Sequence, residues 1–167
     1  MPKRPQSSCR IIDANVISIL AGEGTPGVST EVVEFYLKET RGVKWYITPT
    51  IKKELLAMHK RHGKRDLRRR CFALLSARKA EVIEWSKEME DRLDDEELGK
   101  HFPDKRKSDR RDKKMAISSL VTGHAIVAHD QGLYECSKAV HELVVISWYG
   151  VPRRRRRGVR RGRKGRK

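Results

Sequence analysis

Short apolar runs alternate along this chain with segments whose apolar residues recur every three to four positions. The runs have the length and the β-branched or aromatic content of buried strands, and strands are predicted at 9–12, 43–47, 81–85, 125–129 and 143–147. Helical spacing predicts helices at 16–20, 30–39, 65–78, 87–98 and 109–122, and another after Thr48-Pro49. This alternation predicts an α/β fold, a three-layer α/β/α sandwich around a mainly parallel sheet.

Two predicted helices carry start signals in the sequence. Thr48 is expected to cap a helix that holds Pro49 in its first turn. Ser108 is expected to cap the helix that begins at Asp109.

Four carboxylates are predicted to meet at the carboxyl edge of this sheet. Asp13 directly follows the first strand and Asp130 the fourth, and each taken alone is typical of a helix N-cap. Glu54 lies one turn into the helix after the second strand, and Asp112 in the first turn of the helix before the fourth. Asp109, three residues before Asp112, shares its helical face. Ligands of parallel sheets bind at this edge.

The chemistry follows from the residue types. Clustered carboxylates repel one another unless a cation compensates them, and their hard oxygen atoms suit Mg²⁺ or Mn²⁺. We expect Asp13, Asp112 and Asp130 to bind the metal, and Glu54 to complete the shell or to orient the attacking water. Asp109 is an auxiliary candidate.

Three segments in order resemble the motifs of the PIN-domain family. IIDANVISIL is similar to its opening strand and turn, with Asp13 and Asn15 in the expected places, and TPTIKKELL is similar to the helix that bears Glu54. DKKMAISSLVTGHAIVAHD, from Asp112 to Asp130, resembles the third and fourth motifs. The resemblance spans roughly residues 9–148.

The resemblance implies a metal-dependent endonuclease that acts on RNA, as in toxins of toxin–antitoxin pairs and in RNA-processing enzymes. It implies Asp13, Glu54, Asp112 and Asp130 as catalytic residues, with Asn15 auxiliary, and products with 5′-phosphate and 3′-hydroxyl ends. Ala128 departs from the pattern, since the family often has Thr or Ser two residues before its last aspartate.

Charge adds a second feature, at the C-terminal end. The chain of 167 residues has 39 Lys and Arg against 22 Asp and Glu, a net charge of +17. Residues 153–167 contribute 11 of these cations and no acid, so we predict a domain at 1–152 and a disordered polybasic tail at 153–167. The tail is interpreted as a phosphate-binding arm, the alternative being a solubilising end. Its nucleic-acid-binding candidates are Arg153, Arg154, Arg155, Arg156, Arg157, Arg160, Arg161, Arg163 and Lys164.

Other charged segments allow two interpretations each. Residues 60–79, with nine Lys and Arg, form an RNA-binding helix or a solvated face, and the seven cations of 105–114 hold substrate phosphates or line a solvated helix entrance. The seven acids of 88–98 form a solvated face or a mimic of nucleic acid that docks the tail. His59 and His62 are assigned to a basic surface and not to a zinc site. The tryptophans are assigned to core or edge packing.

Composition narrows the classes further. Three scattered cysteines exclude a disulfide framework, and no apolar run reaches the roughly 18 residues of a membrane span, so a cytoplasmic protein with no membrane partner is expected. Scarce Asn and Gln beside abundant Lys, Arg and Glu indicate a thermophile. Expected partners are RNA, an antitoxin or a ribonucleoprotein, and a second copy in a homodimer. The alternatives to a ribonuclease are a catalytically silent PIN-like RNA-binding module in RNA processing or ribosome assembly, and a nonspecific packaging protein.

Overall fold

The computed structural model describes residues 7–22, 27–58, 64–103 and 105–153. The strands in these residues are β1 (Cys9–Ile12), β2 (Lys44–Ile47), β3 (Glu81–Val82), β4 (Ala125–Val127) and β5 (Val145–Ile146). The helices are α1 (Ala14–Leu20), α2 (Thr30–Glu39), α3 (Pro49–Ala57), α4 (Arg65–Ala77), α5 (Lys87–Asp91), α6 (Glu96–His101), α7 (Lys107–Thr122) and α8 (Gln131–Ala139). Two 3₁₀ turns lie at Arg92–Asp94 and Trp148–Gly150.

All five strands are parallel and lie in the order β3-β2-β1-β4-β5. Arg10 of β1 lies opposite Trp45 of β2 and Ala125 of β4. The chain builds the sheet outward from β1 to β3 and then returns to place β4 on the other side of β1. The strand order therefore reverses between β1 and β4, and ligands of such sheets bind beyond the carboxyl ends of the strands at that point.

Both faces of the sheet are covered. Ile11 and Ile12 are successive residues of β1 and so point to opposite faces, yet each is fully buried. Ile126 and Val127 of β4 are also fully buried. Helices flank the sheet on both sides, which confirms the predicted three-layer α/β/α sandwich.

One of the two predicted helix starts is confirmed. The Thr48 hydroxyl accepts a hydrogen bond from the backbone N–H of Ile51 at 3.2 Å, and Pro49 is the first residue of α3. The prediction for Ser108 was wrong: α7 begins one residue before it, with Arg106 at the N-cap position.

The acidic segment 87–98 is not the single helix predicted from its spacing. It divides into α5, a 3₁₀ turn and α6. The Asp95 carboxylate accepts hydrogen bonds from the backbone N–H groups of Glu97 at 2.9 Å and Leu98 at 3.3 Å, and so caps a new helix. A strong capping residue inside a polar run ended one helix and started the next.

The strands are shorter than the apolar runs that predicted them, and β3 keeps only two residues of the predicted five. Trp45 is fully buried, and Trp148 packs edge-on against Phe35 with ring centroids 5.7 Å apart, as predicted for core and edge packing. None of the helices in the described segments has the length and apolar character needed to cross a membrane.

Candidate active site

Asp13 and Asp130 lie at the ends of the two strands between which the order reverses. Asp13 comes directly after β1, is 8% exposed, and its backbone N–H donates to the carbonyl of Val127 at 3.0 Å. Asp130 follows β4 by three residues, and its carboxylate accepts a hydrogen bond from the N–H of Leu133 at 2.9 Å. Asp130 therefore caps α8, while Asp13 holds the N-cap position of α1 without a side-chain capping bond.

Two helices bring further carboxylates to this edge. Glu54 lies in the second turn of α3, which the Thr48 cap and Pro49 start directly after β2. Asp112 lies in the second turn of α7, the helix that leads into β4, and not in the first turn as predicted, because α7 begins at Lys107 and not at Asp109. These side chains surround a small cavity of about 40 Å³, here called the carboxylate cleft. The cleft is lined by Asp13, Asn15, Thr48, Thr50, Ile51, Glu54, Arg111, Asp112 and Met115. Asp130 is not among these lining residues, and it acts on Asp13 and Asp112 through its charge.

The four predicted catalytic carboxylates share one electrostatic environment. Burial raises the pKa of Asp13 to about 7, and repulsion from Glu54, Asp112 and Asp130 adds to the shift. Burial also raises the pKa of Asp112 to about 7, with Asp130 as the strongest repelling charge. Negative charge is thus concentrated where water is partly excluded.

Arg111 opposes this concentration of charge. Its guanidinium lies 2.7 Å from the Glu54 carboxylate, and both side chains are about half-buried, 42% and 37% exposed respectively. The same guanidinium lowers the pKa of Asp112 against the larger effect of burial. Sequence reasoning marked the basic run 105–114 but did not single out Arg111 as a member of the site.

The two auxiliary candidates lie at the margins of the cleft. Asn15 is exposed and lines it, one residue into α1 from the buried Ala14. Asp109 is half-buried on α7 and raises the pKa of Asp112 by repulsion. It is not among the residues that line the cleft.

A buried tyrosine, missed by the sequence analysis, ties three segments together beside the site. The Tyr36 hydroxyl of α2 donates to the carbonyl of Ala128 at 3.1 Å and lies 2.8 Å from Nδ1 of His129. It also accepts a hydrogen bond from the backbone N–H of Trp148 at 3.1 Å. Where the family motif often has a hydroxyl, Ala128 is fully buried and Tyr36 holds its backbone.

The donor set suits a hard divalent cation. Three aspartates and a glutamate supply oxygen atoms. A bound cation would stabilise the ionised carboxylates of Asp13 and Asp112, whose pKa values are raised by burial and repulsion. In the described parts of the chain, however, no three His, Cys, Asp or Glu side chains are placed to hold a metal ion as they stand. The Arg111–Glu54 pair is the arrangement that a metal would have to compete with.

The predicted nucleic-acid-binding tail falls almost entirely outside the described residues. Arg153 is described and is exposed. Outside the described residues lie His59, His62, Arg154, Arg155, Arg156, Arg157, Arg160, Arg161, Arg163 and Lys164. The division at 152 and the phosphate-binding role of the tail stay predictions.

No family model matches the sequence, and no curated protein is similar to it in sequence. In three dimensions the chain is similar to one in the crystal structure of VapBC2 from Rickettsia felis bound to a DNA fragment from their promoter. The identity is 14%, the TM-score is 0.59, and the match covers 84% of this chain and 98% of that chain. A likeness at this identity concerns the fold alone, and it confirms the PIN-like fold expected from the motifs.

Proposed function

Because the chain has a PIN-like fold, we propose that it is a ribonuclease that hydrolyses RNA phosphodiester bonds with Mg²⁺ or Mn²⁺. The observation that carries this proposal is the raised pKa of Asp13 and of Asp112 at the reversal of strand order, where burial acts on both carboxylates and the charges of Glu54 and Asp130 add to the shift. Such a concentration of negative charge is costly for folding alone, and perturbed carboxylates in a cleft are typical of catalytic sites.

Asp13, Asp112 and Asp130 would hold the metal. When bound, such an ion lowers the pKa of a coordinated water and offsets the charge of the phosphate group. Glu54 would accept a proton from the attacking water or orient it, since its carboxylate lines the same cleft. Asn15 and Asp109 would position these groups from the margins.

Arg111 gives the cleft a second function during binding. Its guanidinium is about half-exposed and can form two parallel hydrogen bonds to a phosphate oxygen pair. We expect an incoming phosphate to draw Arg111 away from Glu54, which would free that carboxylate for catalysis.

We also propose a protein partner. The likeness to a chain of VapBC2, a complex bound to promoter DNA, supports an antitoxin-like partner over a ribonucleoprotein. A homodimer, a cytoplasmic location and a thermophilic source stay predictions.

The second candidate is a catalytically silent PIN-like module that binds RNA in RNA processing or ribosome assembly. The Arg111–Glu54 ion pair favours it, because an internal cation already offsets part of the charge that a metal would otherwise neutralise.

One experiment distinguishes the two candidates. Purified full-length protein is incubated with end-labelled single-stranded RNA in Mg²⁺, in Mn²⁺ or in EDTA, and the products are separated by gel. Cleavage that requires the metal and leaves 5′-phosphate ends supports the nuclease. RNA that is bound but stays intact in all three conditions supports the silent module.

A further inference from the structure

A second concavity lies outside the carboxylate cleft, along the free edge of the sheet. It has a volume of about 390 Å³, within the range of ligand pockets, and is lined by residues of β2, α3, α4 and the edge strand β3. Its apolar wall includes Ile47, Phe72, Leu75 and Val82. We call it the outer groove.

Apolar surface is left open to solvent in the outer groove. Val82 is 41% exposed, and Phe72 is only partly buried against the core. The guanidinium of Arg68, one turn earlier on α4, lies over the Phe72 ring at 5.8 Å from its centroid. Nucleic-acid bases stack on aromatic rings of this kind, and a nearby arginine such as Arg68 adds a cation–π contribution.

The charge of the outer groove is positive. Among the described residues that line it, the charged ones are Lys52 and Lys79, and both are exposed. Lys79 has a left-handed backbone conformation, with φ 51°, at the turn that ends α4, where N–H donation from Ala80 to the carbonyl of Leu75 closes the helix. A groove with an apolar floor and a cationic rim suits an anionic ligand that carries an aromatic ring.

The outer groove and the carboxylate cleft are neighbours. Ile47 of β2 pairs with Val82 of β3, and Tyr46 pairs with Ile11, two residues before Asp13. Two strand spacings of about 4.8 Å therefore place the groove roughly 10 Å from Asp13 along the sheet edge. The first turns of α3 separate the two sites, with Thr50, Ile51 and Glu54 on the cleft side and Lys52 on the groove side.

We propose that the outer groove binds the base of a nucleotide that flanks the cleavage position of a single-stranded RNA, with Phe72 stacking on the base and Lys52 and Lys79 contacting its phosphates. This inference rests on the proposed function for its choice of RNA, but it concerns binding and not cleavage. The competing occupant is a protein segment that adds a strand to the β3 edge. The cationic rim favours RNA.

The test measures binding of full-length protein to a fluorescein-labelled single-stranded RNA of 12 nucleotides by anisotropy, in EDTA so that cleavage plays no part. Phe72→Leu should weaken RNA binding about 5-fold to 150-fold, the range of aromatic–base stacking, whereas Phe72→Trp should bind at least as tightly as the wild type. Binding to inorganic polyphosphate, which has no bases, should be unchanged in Phe72→Leu.

Lys79→Asn tests the rim, since asparagine tolerates the left-handed backbone, and Lys52→Gln is its helical counterpart. Each should weaken binding to RNA and to polyphosphate alike and lower the salt slope by about 0.7. Lys138→Gln, an exposed lysine of α8 beside β5 at the opposite edge of the sheet, is the control with the same loss of charge and should not change the slope.

The proposal would be overturned if the wild type, Phe72→Leu and Phe72→Trp bound RNA equally well, or if both variants lost affinity equally. A protein segment would then be the favoured occupant of the groove. Thermal unfolding of each variant checks that it folds. If Phe72→Leu does not fold, Lys79→Asn and Lys52→Gln still test whether the groove binds RNA. A wild type that binds RNA through Phe72 but cuts nothing in Mg²⁺ or Mn²⁺ would overturn the nuclease and leave the groove in place.

Discussion

The carboxylate cleft and the outer groove lie on two sides of α3 and differ in polarity, charge and size. The cleft is narrow and collects carboxylates, so that burial and repulsion raise the pKa values of Asp13 and Asp112 to about 7. The groove is open, apolar and rimmed by Lys52 and Lys79. The negative charge in the cleft destabilises the folded state and repels a polyanion such as RNA. A bound metal cation would offset both effects. Affinity for RNA must then come from surfaces such as the groove.

The largest effect is expected at two predicted metal ligands, Asp13, which lines the cleft, and Asp130, whose charge repels Asp13 from the start of α8. Asp13→Asn and Asp130→Asn should each lower the cleavage rate more than about 100-fold. This exceeds the loss expected when a residue that only hydrogen-bonds to a metal ligand is removed. RNA affinity in EDTA should stay near that of the wild type. Asparagine preserves the N-cap of α8 in Asp130→Asn, so the fold should survive. Rates are measured with end-labelled RNA at saturating metal, and a variant that cuts as fast as the wild type would end the nuclease assignment.

A smaller difference is expected within α7. Asp112 lines the cleft, while Asp109 lies one turn nearer the helix start and only repels it. Asp112→Ala should therefore be inactive, and Asp109→Ala should keep measurable cleavage, about 10-fold to 100-fold below the wild type, as for a supporting residue. Both positions lie near the positive end of the helix, so its dipole does not distinguish them. If Asp109→Ala were the more damaged variant, the third motif would be placed one turn wrong.

The placement of carboxylates near this edge of the sheet could be predicted from the sequence for a local reason. Asp13, Glu54 and Asp130 each follow a strand closely, and the alternation of strands and helices sends every strand's carboxyl end to one edge of the sheet. Their distance along the chain therefore did not matter. The three-layer architecture followed from the same periodicity.

What the sequence did not reveal depends on contacts between distant segments. Arg111 was one of seven cations in 105–114, and only the three-dimensional structure shows that it is the one paired with Glu54 of α3. The Tyr36 hydroxyl sits in an apolar helical stripe, with no sign that it contacts Ala128 and Trp148. The outer groove is assembled from residues of β2, α3, α4 and β3, and the basic composition of 60–79 indicated possible RNA binding without indicating a groove.

Replacing Arg111 tests whether its ion pair with Glu54 weakens metal binding in the cleft, a property that the outer groove does not share. Arg111→Gln removes the internal cation that competes with a metal at Glu54, and about 1 kcal/mol of relieved repulsion corresponds to roughly fivefold tighter Mn²⁺ binding. Calorimetric titration of Mn²⁺ into full-length protein measures this change. Arg110→Gln, with the same loss of charge at an exposed neighbouring position, should bind Mn²⁺ as the wild type does. Unchanged Mn²⁺ affinity in Arg111→Gln would mean that the ion pair does not compete with the metal.

The smallest expected effect is on stability, and its sign depends on pH. The pKa of Asp13 rises from 3.8 to about 7 on folding, so the folded chain binds more protons than the unfolded chain between those values. The free energy of unfolding therefore falls as pH rises through this window, and the loss is complete above it. In EDTA, the melting temperature of Asp13→Asn should equal that of the wild type near pH 4 and exceed it at pH 8. The expected difference at pH 8 is at least about 2–4 °C, which corresponds to about 1 kcal/mol in a chain of this size. Saturating Mn²⁺ should reverse the order of the melting temperatures at pH 8, because only the wild type keeps the full ligand set.

Glu34→Gln on the exposed face of α2 is the control, and its melting temperature should show neither trend. A difference in melting temperature between Asp13→Asn and the wild type that stays constant from pH 4 to pH 8 would show that Asp13 is ionised throughout, with its charge already compensated within the chain.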